Sequence, residues 1–297
     1  MTPLTWRDRV LSAGARRFVR PLLALPIPWT LHRAGFDLFA PRPLRRRHIR
    51  ERHQTFGGVP CLVTEGTGQG APLLWVHGGG FVMGSAKAYR NLAHAFAQVT
   101  GRRVIMPDYR LAPEHPYPAG VDDVVAVAGA LHGQGPYVLG GDSAGGTLAL
   151  SSLAKLVGRG QAPARLVLIC PATNLDSARP IPPHREMVLP VPLLRRVVAA
   201  YLGAADPRDP NVSPLHAQYK GTPPTLIQCA RGEILEGDSD AVATRMAAAG
   251  VAVTVQKSDG VPHVWHLFAG YSPEADRAVA RIAAFLDEDT PAAQVAS

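Results

Sequence analysis

A serine that attacks an acyl carbon needs a sharp turn to present its hydroxyl, a base to take its proton, and donors to hold the oxyanion that forms. Gly141-Asp142-Ser143-Ala144-Gly145 offers the first of these. The pentapeptide follows the apolar run Tyr137-Val138-Leu139 and opens an alanine-rich helical pattern, the strand-turn-helix setting of a nucleophile elbow. Glycines at 141 and 145 suit a turn where strand and helix backbones pass close together. Gly-x-Ser-x-Gly also occurs in ordinary loops, so Ser143 needs partners elsewhere in the chain.

Donors are expected from His77-Gly78-Gly79-Gly80, directly after the apolar run Leu73-Leu74-Trp75-Val76. Successive glycines let backbone N–H groups face a substrate oxygen with no side chains between, and His77 starts that turn. The amides of Gly78, Gly79 and Ala144 are therefore the expected oxyanion hole. A glycine run can instead cradle a phosphate, but the Lys-Ser/Thr of a P-loop and a GxGxxG pattern are both missing.

Eleven histidines compete for the role of base. His263 is favoured because it ends the loop Asp259-Gly260-Val261-Pro262-His263, after the last strand pattern and before the last helical one; His266 is its rival. The acid should follow the preceding strand, Thr225-Leu226-Ile227-Gln228, which leaves Glu233, Glu236 and Asp238 within reach. Glu233 comes first and is the expected acid, whereas Asp238 is placed to cap the helix that follows. Asp142 is excluded, since neighbours on a sharp elbow point in different directions.

These groups must be held by a scaffold, and the periodicity supplies one. Strand patterns at 60–63, 73–76, 103–106, 137–139, 166–169, 225–228 and 251–256 alternate with helical patterns near 87–100, 119–132, 144–158, 239–249 and 274–287. Such alternation predicts an α/β fold with a mostly parallel sheet, helices on both faces, and a site at the carboxyl ends of the strands. Two segments break it. One is the proline- and arginine-rich stretch 1–50. The other runs from Pro171 to Pro224, too long for an ordinary loop, and carries an apolar stripe of Leu193, Leu194, Val197, Val198, Tyr201 and Leu202. The expected organisation is a cap arm at 1–50 and an α/β core at 51–297, with a second cap segment inserted at about 172–212. Trp29, Phe36, Phe39, Met187, Leu189 and Leu194 are candidates either to line an acyl pocket or to form the core of that cap.

The formal net charge is +8, but residues 1–53 hold twelve arginines against Asp8, Asp37 and Glu51. The rest of the chain is near neutral, which argues against a nucleic-acid partner. Arg16-Arg17-Phe18-Val19-Arg20 and the apolar stretch after it have the flavour of an export signal or an interfacial anchor. Three prolines and the lack of a small-x-small site favour an arm packed on the protein itself, in the cytoplasm. No run reaches the length of a transmembrane helix. Cys61, Cys170 and Cys229 are widely spaced and odd in number, reading as core residues of a reducing compartment rather than as disulfides or a zinc set. The tail Pro291–Ser297 reads as disordered.

Taken together, His77-Gly78-Gly79-Gly80-Phe81, the run Asp108-Tyr109-Arg110-Leu111-Ala112-Pro113-Glu114-His115-Pro116-Tyr117-Pro118-Ala119, and Gly141–Gly146 resemble the hormone-sensitive-lipase-like branch of the α/β-hydrolases, the bacterial family IV esterases. The resemblance runs from about residue 55 to 287 and takes in Asn211–Leu215 and Pro262–His266. It implies the α/β-hydrolase fold with a helical cap, a triad of Ser143, Glu233 and His263, a two-part cap that shapes the acyl pocket, and no metal or organic cofactor. Many members carry Asp-Pro-Leu where this chain has Glu233-Ile234-Leu235. It also implies that Asp108, Tyr109, Arg110 and Glu114 are structural, fixing the loop behind the oxyanion turn. The expected activity is hydrolysis of short-to-medium acyl esters, with a lactonase or amidase using the same triad, a membrane-surface lipase, or a non-catalytic receptor as alternatives. The expected partners are a small-molecule ester and a second copy of the chain, paired along the last strand.

Overall fold

Short runs of Val, Leu and Ile, each buried on both faces, make the centre of an eight-stranded sheet in this computed structural model, which describes residues 3–44, 49–181 and 184–288. The Arg45-Arg46-Arg47 run and the tail Pro291–Ser297 lie outside the described residues. The strands are β1 (Glu51–Phe56), β2 (Val59–Thr64), β3 (Leu73–Val76), β4 (Val104–Pro107), β5 (Val138–Asp142), β6 (Arg165–Ile169), β7 (Thr225–Ala230) and β8 (Val253–Ser258), in the order β1-β2-β4-β3-β5-β6-β7-β8. From β4 to β8 the pairing is parallel; β1 and β2 are antiparallel to their neighbours. Parallel strands put their carboxyl ends on one edge, and every residue proposed for chemistry follows such an end.

Three helices of the arm come first: α1 (Trp6–Gly14), α2 (Arg20–Ala24), joined to α1 through a π-helical turn, and α3 (Trp29–Phe39). The remaining helices are α4 (Arg90–Thr100), α5 (Ala119–His132), α6 (Ala144–Gly158), α7 (Val191–Leu202), α8 (Glu236–Ala248) and α9 (Pro273–Asp287). Helices α5, α6 and α8 cover one face of the sheet, burying Leu148, Leu153 and Met246; α4 and α9 cover the other, burying Phe96, Ile282 and Leu286. The expected α/β layering is what folds.

Strand β1 was not among the expected elements. Its sequence, Glu-Arg-His-Gln-Thr-Phe, lacks an apolar face because it lies at the sheet's edge, where a full ladder to β2 needs only backbone. Helix α1 also departs from apolar periodicity. The stripe it buries is Asp8, Ser12 and Ala15. Thr5 and Asp8 form a capping box at its start, and Asp8 accepts the Ser272 hydroxyl at 2.5 Å and the Glu274 N–H at 3.2 Å on α9. Ser12 donates to the Gly260 carbonyl at 2.9 Å, in the loop that leads to His263.

The rest of the arm is tied to two other places. Arg33 forks onto Glu114 at 2.6 and 3.0 Å and also donates to the Val82 and Ala112 carbonyls. Arg196 on α7 donates to the carbonyls of Leu25 and Ile27 and lies 4.4 Å over the Trp29 ring. Arm and insertion therefore touch, with Leu193, Val197 and Tyr201 of α7 turned inward. The three cysteines are free and buried.

Candidate active site

Ser143 sits between β5 and α6 at φ 53°, ψ −123°, a strained conformation for a residue with a Cβ. The flanking glycines make the turn possible. A Cβ at Gly145 would lie 2.0 Å from the Val76 carbonyl oxygen, and one at Gly141 would lie 2.5 Å from that of Gly145. Ser143 N–H donates to the Ile169 carbonyl at 2.8 Å, and its own carbonyl accepts from Ala172 at 3.3 Å. The side chain is partly exposed amid a buried surround.

Glu233 follows β7, and its carboxylate is divided between two tasks. Oε1 accepts the Ala230 N–H at 2.9 Å, and Oε2 meets His263 Nδ1 at 2.5 Å. Both residues are buried. This contact sets the ring's tautomer, because Nδ1 must carry the proton it donates; Nε2, buried and without a hydrogen-bond partner among the described residues, is left as the acceptor. Burial works against the imidazolium, but the charge and hydrogen bond of Glu233, reinforced by Glu186 and Asp142, outweigh it and raise the pKa of His263 above its ordinary value.

The elbow and the His263–Glu233 pair share one strand end. Ile169 accepts from Ser143, and the thiol of Cys170, the next residue, lies within 4.8 Å of the His263 and Glu233 ligand atoms. Burial and the nearby Glu233 charge hold that thiol well above its usual pKa, so it stays protonated. By type, Cys170, Glu233 and His263 are a possible metal set. Two ligands of one tetrahedral zinc stand about 3.3 Å apart, so an ion held by both Nδ1 and Oε2 would have to part the contact between them.

The rival residues are occupied elsewhere. His266 Nε2 faces Gln228 Oε1 at 2.6 Å inside the core, and burial drives its pKa well below the usual value. Asp238 does not cap α8 as expected. It is turned toward the insertion, accepting the N–H groups of Thr173 at 2.7 Å and Asn174 at 3.0 Å and pairing with Arg179. Glu236 accepts the Gly232 N–H at 2.7 Å and pairs with Lys257. Only Glu233 of the three reaches His263.

One expected donor needs correction. The Gly78 N–H is buried and already donates to the Tyr89 hydroxyl at 3.0 Å, so it is not available to a substrate oxygen. Tyr89 passes its own proton to Asp142 Oδ2 at 2.6 Å, while Trp75 Nε1 donates to Oδ1 at 2.9 Å. Gly79 and Gly80 are partly exposed, and their amides and that of Ala144 have no partner among the described residues. Behind the turn, Tyr109 donates to the His77 carbonyl at 2.9 Å, Asp108 accepts the Ala86 N–H at 2.8 Å, and Arg110 forks onto Asp123. Glu114 differs from its companions in bonding to the arm.

Sequence reasoning missed Glu186. This buried carboxylate, on the insertion, accepts the N–H groups of Met187, Val188 and Leu189 with Oε1 and that of Ile234 with Oε2 at 3.1 Å. Arg185 N–H donates to the Gly232 carbonyl at 2.6 Å. The insertion is thus pinned on both sides of Glu233. Phe39, a candidate for the acyl pocket, is 75% exposed and lines nothing near Ser143.

A family model described as an alpha/beta hydrolase fold matches residues 73–267. The chain is 37% identical over 225 residues to an acetyl-hydrolase of Streptomyces hygroscopicus, covering 73% of this chain and 75% of the other. It is 31% identical to the carboxylesterase/phospholipase LipF of Mycobacterium tuberculosis, covering 95% and 82%. Among solved structures it resembles EstE5, at a TM-score of 0.89 and 30% identity over 95% of this chain and 98% of that one. An esterase from the bacterial hormone-sensitive lipase family gives a TM-score of 0.87 at 32% identity, covering 96% and 98%.

Proposed function

The chain belongs to the hormone-sensitive-lipase-like branch (bacterial family IV) of the α/β-hydrolase esterases and is a carboxylesterase-type hydrolase, and from that premise we propose that it cleaves short-to-medium acyl esters through an acyl-enzyme on Ser143. The observation that carries this reading is the 2.5 Å contact between Glu233 and His263, which leaves His263 Nε2 buried and without a hydrogen-bond partner among the described residues.

In the proposed mechanism His263 Nε2 takes the Ser143 proton as the oxygen attacks the ester carbon. Glu233 fixes the ring and stabilises the imidazolium. The amides of Gly79, Gly80 and Ala144 hold the oxyanion, with Gly80 taking the place first expected of Gly78. Collapse breaks the bond to the alcohol, which leaves with the proton from His263. A water then gives a proton to His263 as it attacks the acyl carbon, and collapse breaks the bond to Ser143, whose oxygen takes that proton from His263 as the acid leaves.

The arm and the insertion act as two halves of a cap, joined through Arg196 and Trp29. Between the insertion and the acid loop lies a cavity of about 50 Å³ whose apolar lining includes Ala172, Leu175, Leu194, Val198 and Leu235. The name acetyl-hydrolase carried by the Streptomyces relative supports the shorter acyl chains. A chromogenic ester series tests the reading. Turnover should fall as the acyl chain lengthens, and Ser143→Ala should lose about 10⁴-fold or more with its circular dichroism unchanged. Retained activity in that variant would overturn it.

A further inference from the structure

Of the thirteen large apolar side chains exposed among the described residues, ten lie on the arm, between Trp6 and Leu44. Helix α1 turns Asp8 and Ser12 to the body, which places Trp6 and Val10, at i and i+4, on the opposite side. Trp6 is 70% exposed, Phe18 66% and Phe39 75%. Arg7, Arg9, Arg16 and Arg17 stand among them, exposed, with no acidic partner among the described residues. The Arg7 guanidinium lies 5.6 Å from the Trp6 ring centroid.

Apolar groups left in water beside free cations fit a partner that is itself apolar beneath a layer of negative charge. An anionic lipid surface has that layering. A second copy does not, because a two-fold contact through this face would set arginine against arginine. The arm is also suitably placed. It bonds to the loop leading to His263 through Ser12 and Gly260, and to the insertion through Arg196, so its outer face lies next to the sheet's catalytic edge.

We propose that the outer face of the N-terminal arm docks the enzyme on anionic lipid, with Trp6, Val10 and Phe18 entering the headgroup boundary and the arginines meeting phosphate. This goes beyond the acyl-transfer reading and does not depend on it. The test is co-sedimentation of the whole protein with vesicles of phosphatidylglycerol mixed with phosphatidylcholine, against phosphatidylcholine alone. Binding should favour the anionic vesicles and weaken with salt. Trp6→Ser/Phe18→Ser and, separately, Arg7→Glu/Arg16→Glu/Arg17→Glu should each lower the partition at least about ten-fold. Hydrolysis of a soluble ester should be unchanged in both, which shows them folded. Equal or absent binding to the two vesicle types would overturn the proposal, as would apolar variants that bind like the parent. So would a concentration-dependent dimer, seen by light scattering, that the apolar variants dissolve.

Discussion

Glu186 accepts the N–H of Ile234 at 3.1 Å, so a buried carboxylate of the insertion holds the backbone one residue past Glu233. Its charge is also among the groups that raise the pKa of His263. Glu186 is accordingly a positioning residue. Glu186→Gln keeps an acceptor but removes the charge, so kcat should fall several-fold with KM little changed. The acid limb of the kcat/KM profile should also move to lower pH. Glu186→Ala takes the acceptor from the buried Ile234 N–H and from three half-buried amides, and should destabilise the fold by about 1–3 kcal/mol in denaturant titration. An unmoved acid limb in the glutamine variant would mean that Glu186 acts by packing alone.

The same acid limb tests the triad. A general base must be neutral in the free enzyme, and His263 has a pKa raised above 6.5. Activity should therefore be full at alkaline pH and be lost as pH falls through a midpoint above 6.5. Glu233→Gln should lower kcat by about 10²- to 10⁴-fold and shift that midpoint down. A midpoint near the ordinary carboxylate range would assign the titration to another group.

Asp142 titrates in the opposite sense to a stabilising acid. Burial pushes its pKa from 3.8 up to about 6, against the hydrogen bonds of Tyr89 and Trp75 and the pull of His263. Because the folded state holds this proton more tightly than the unfolded one, stability is lost as pH rises from 3.8 to about 6 and stays lower above it. A shift of that size corresponds to about 3 kcal/mol. Asp142→Asn should remove this component, so its stability relative to the parent should improve between pH 4 and pH 7 when unfolding is measured at both. A constant difference would contradict the assignment.

Much of this was legible in the chain, and the parts that were not share a cause. The apolar runs of β3 through β7 declared themselves because each is buried on both faces, and the proposed roles of Ser143, Glu233 and His263 could be read from the chain because each follows a strand. β1 and α1 were hidden because one rests on backbone pairing and the other on Asp8 and Ser12, so neither has an apolar stripe to read. Thr5-x-x-Asp8 was the available signal for α1. Glu186 was invisible because its partners are backbone amides, one of them 48 residues away. The assignment of Gly78 failed for the same reason: the Tyr89 hydroxyl that occupies its amide comes from another element.

Two glycines separate steric demand from mere occurrence. A methyl at Gly145 would press on the Val76 and His77 carbonyls, so Gly145→Ala should destabilise the protein by about 3 kcal/mol or more and abolish turnover. Gly14, at the end of α1 with helical dihedrals, has nothing within 4 Å of its would-be Cβ. Gly14→Ala should stabilise by about 0.5–1 kcal/mol. Thermal melts of the two variants check both signs.

The most direct measurement is peptide mapping after treatment with an alkyl fluorophosphonate, which phosphonylates an activated serine hydroxyl with loss of fluoride. The adduct should fall on Ser143 alone, at a rate that follows the pH dependence of esterase activity, and His263→Ala should slow it by several orders of magnitude. Modification of a different serine, or labelling of Ser143 that persists at full rate without His263, would contradict the proposed mechanism.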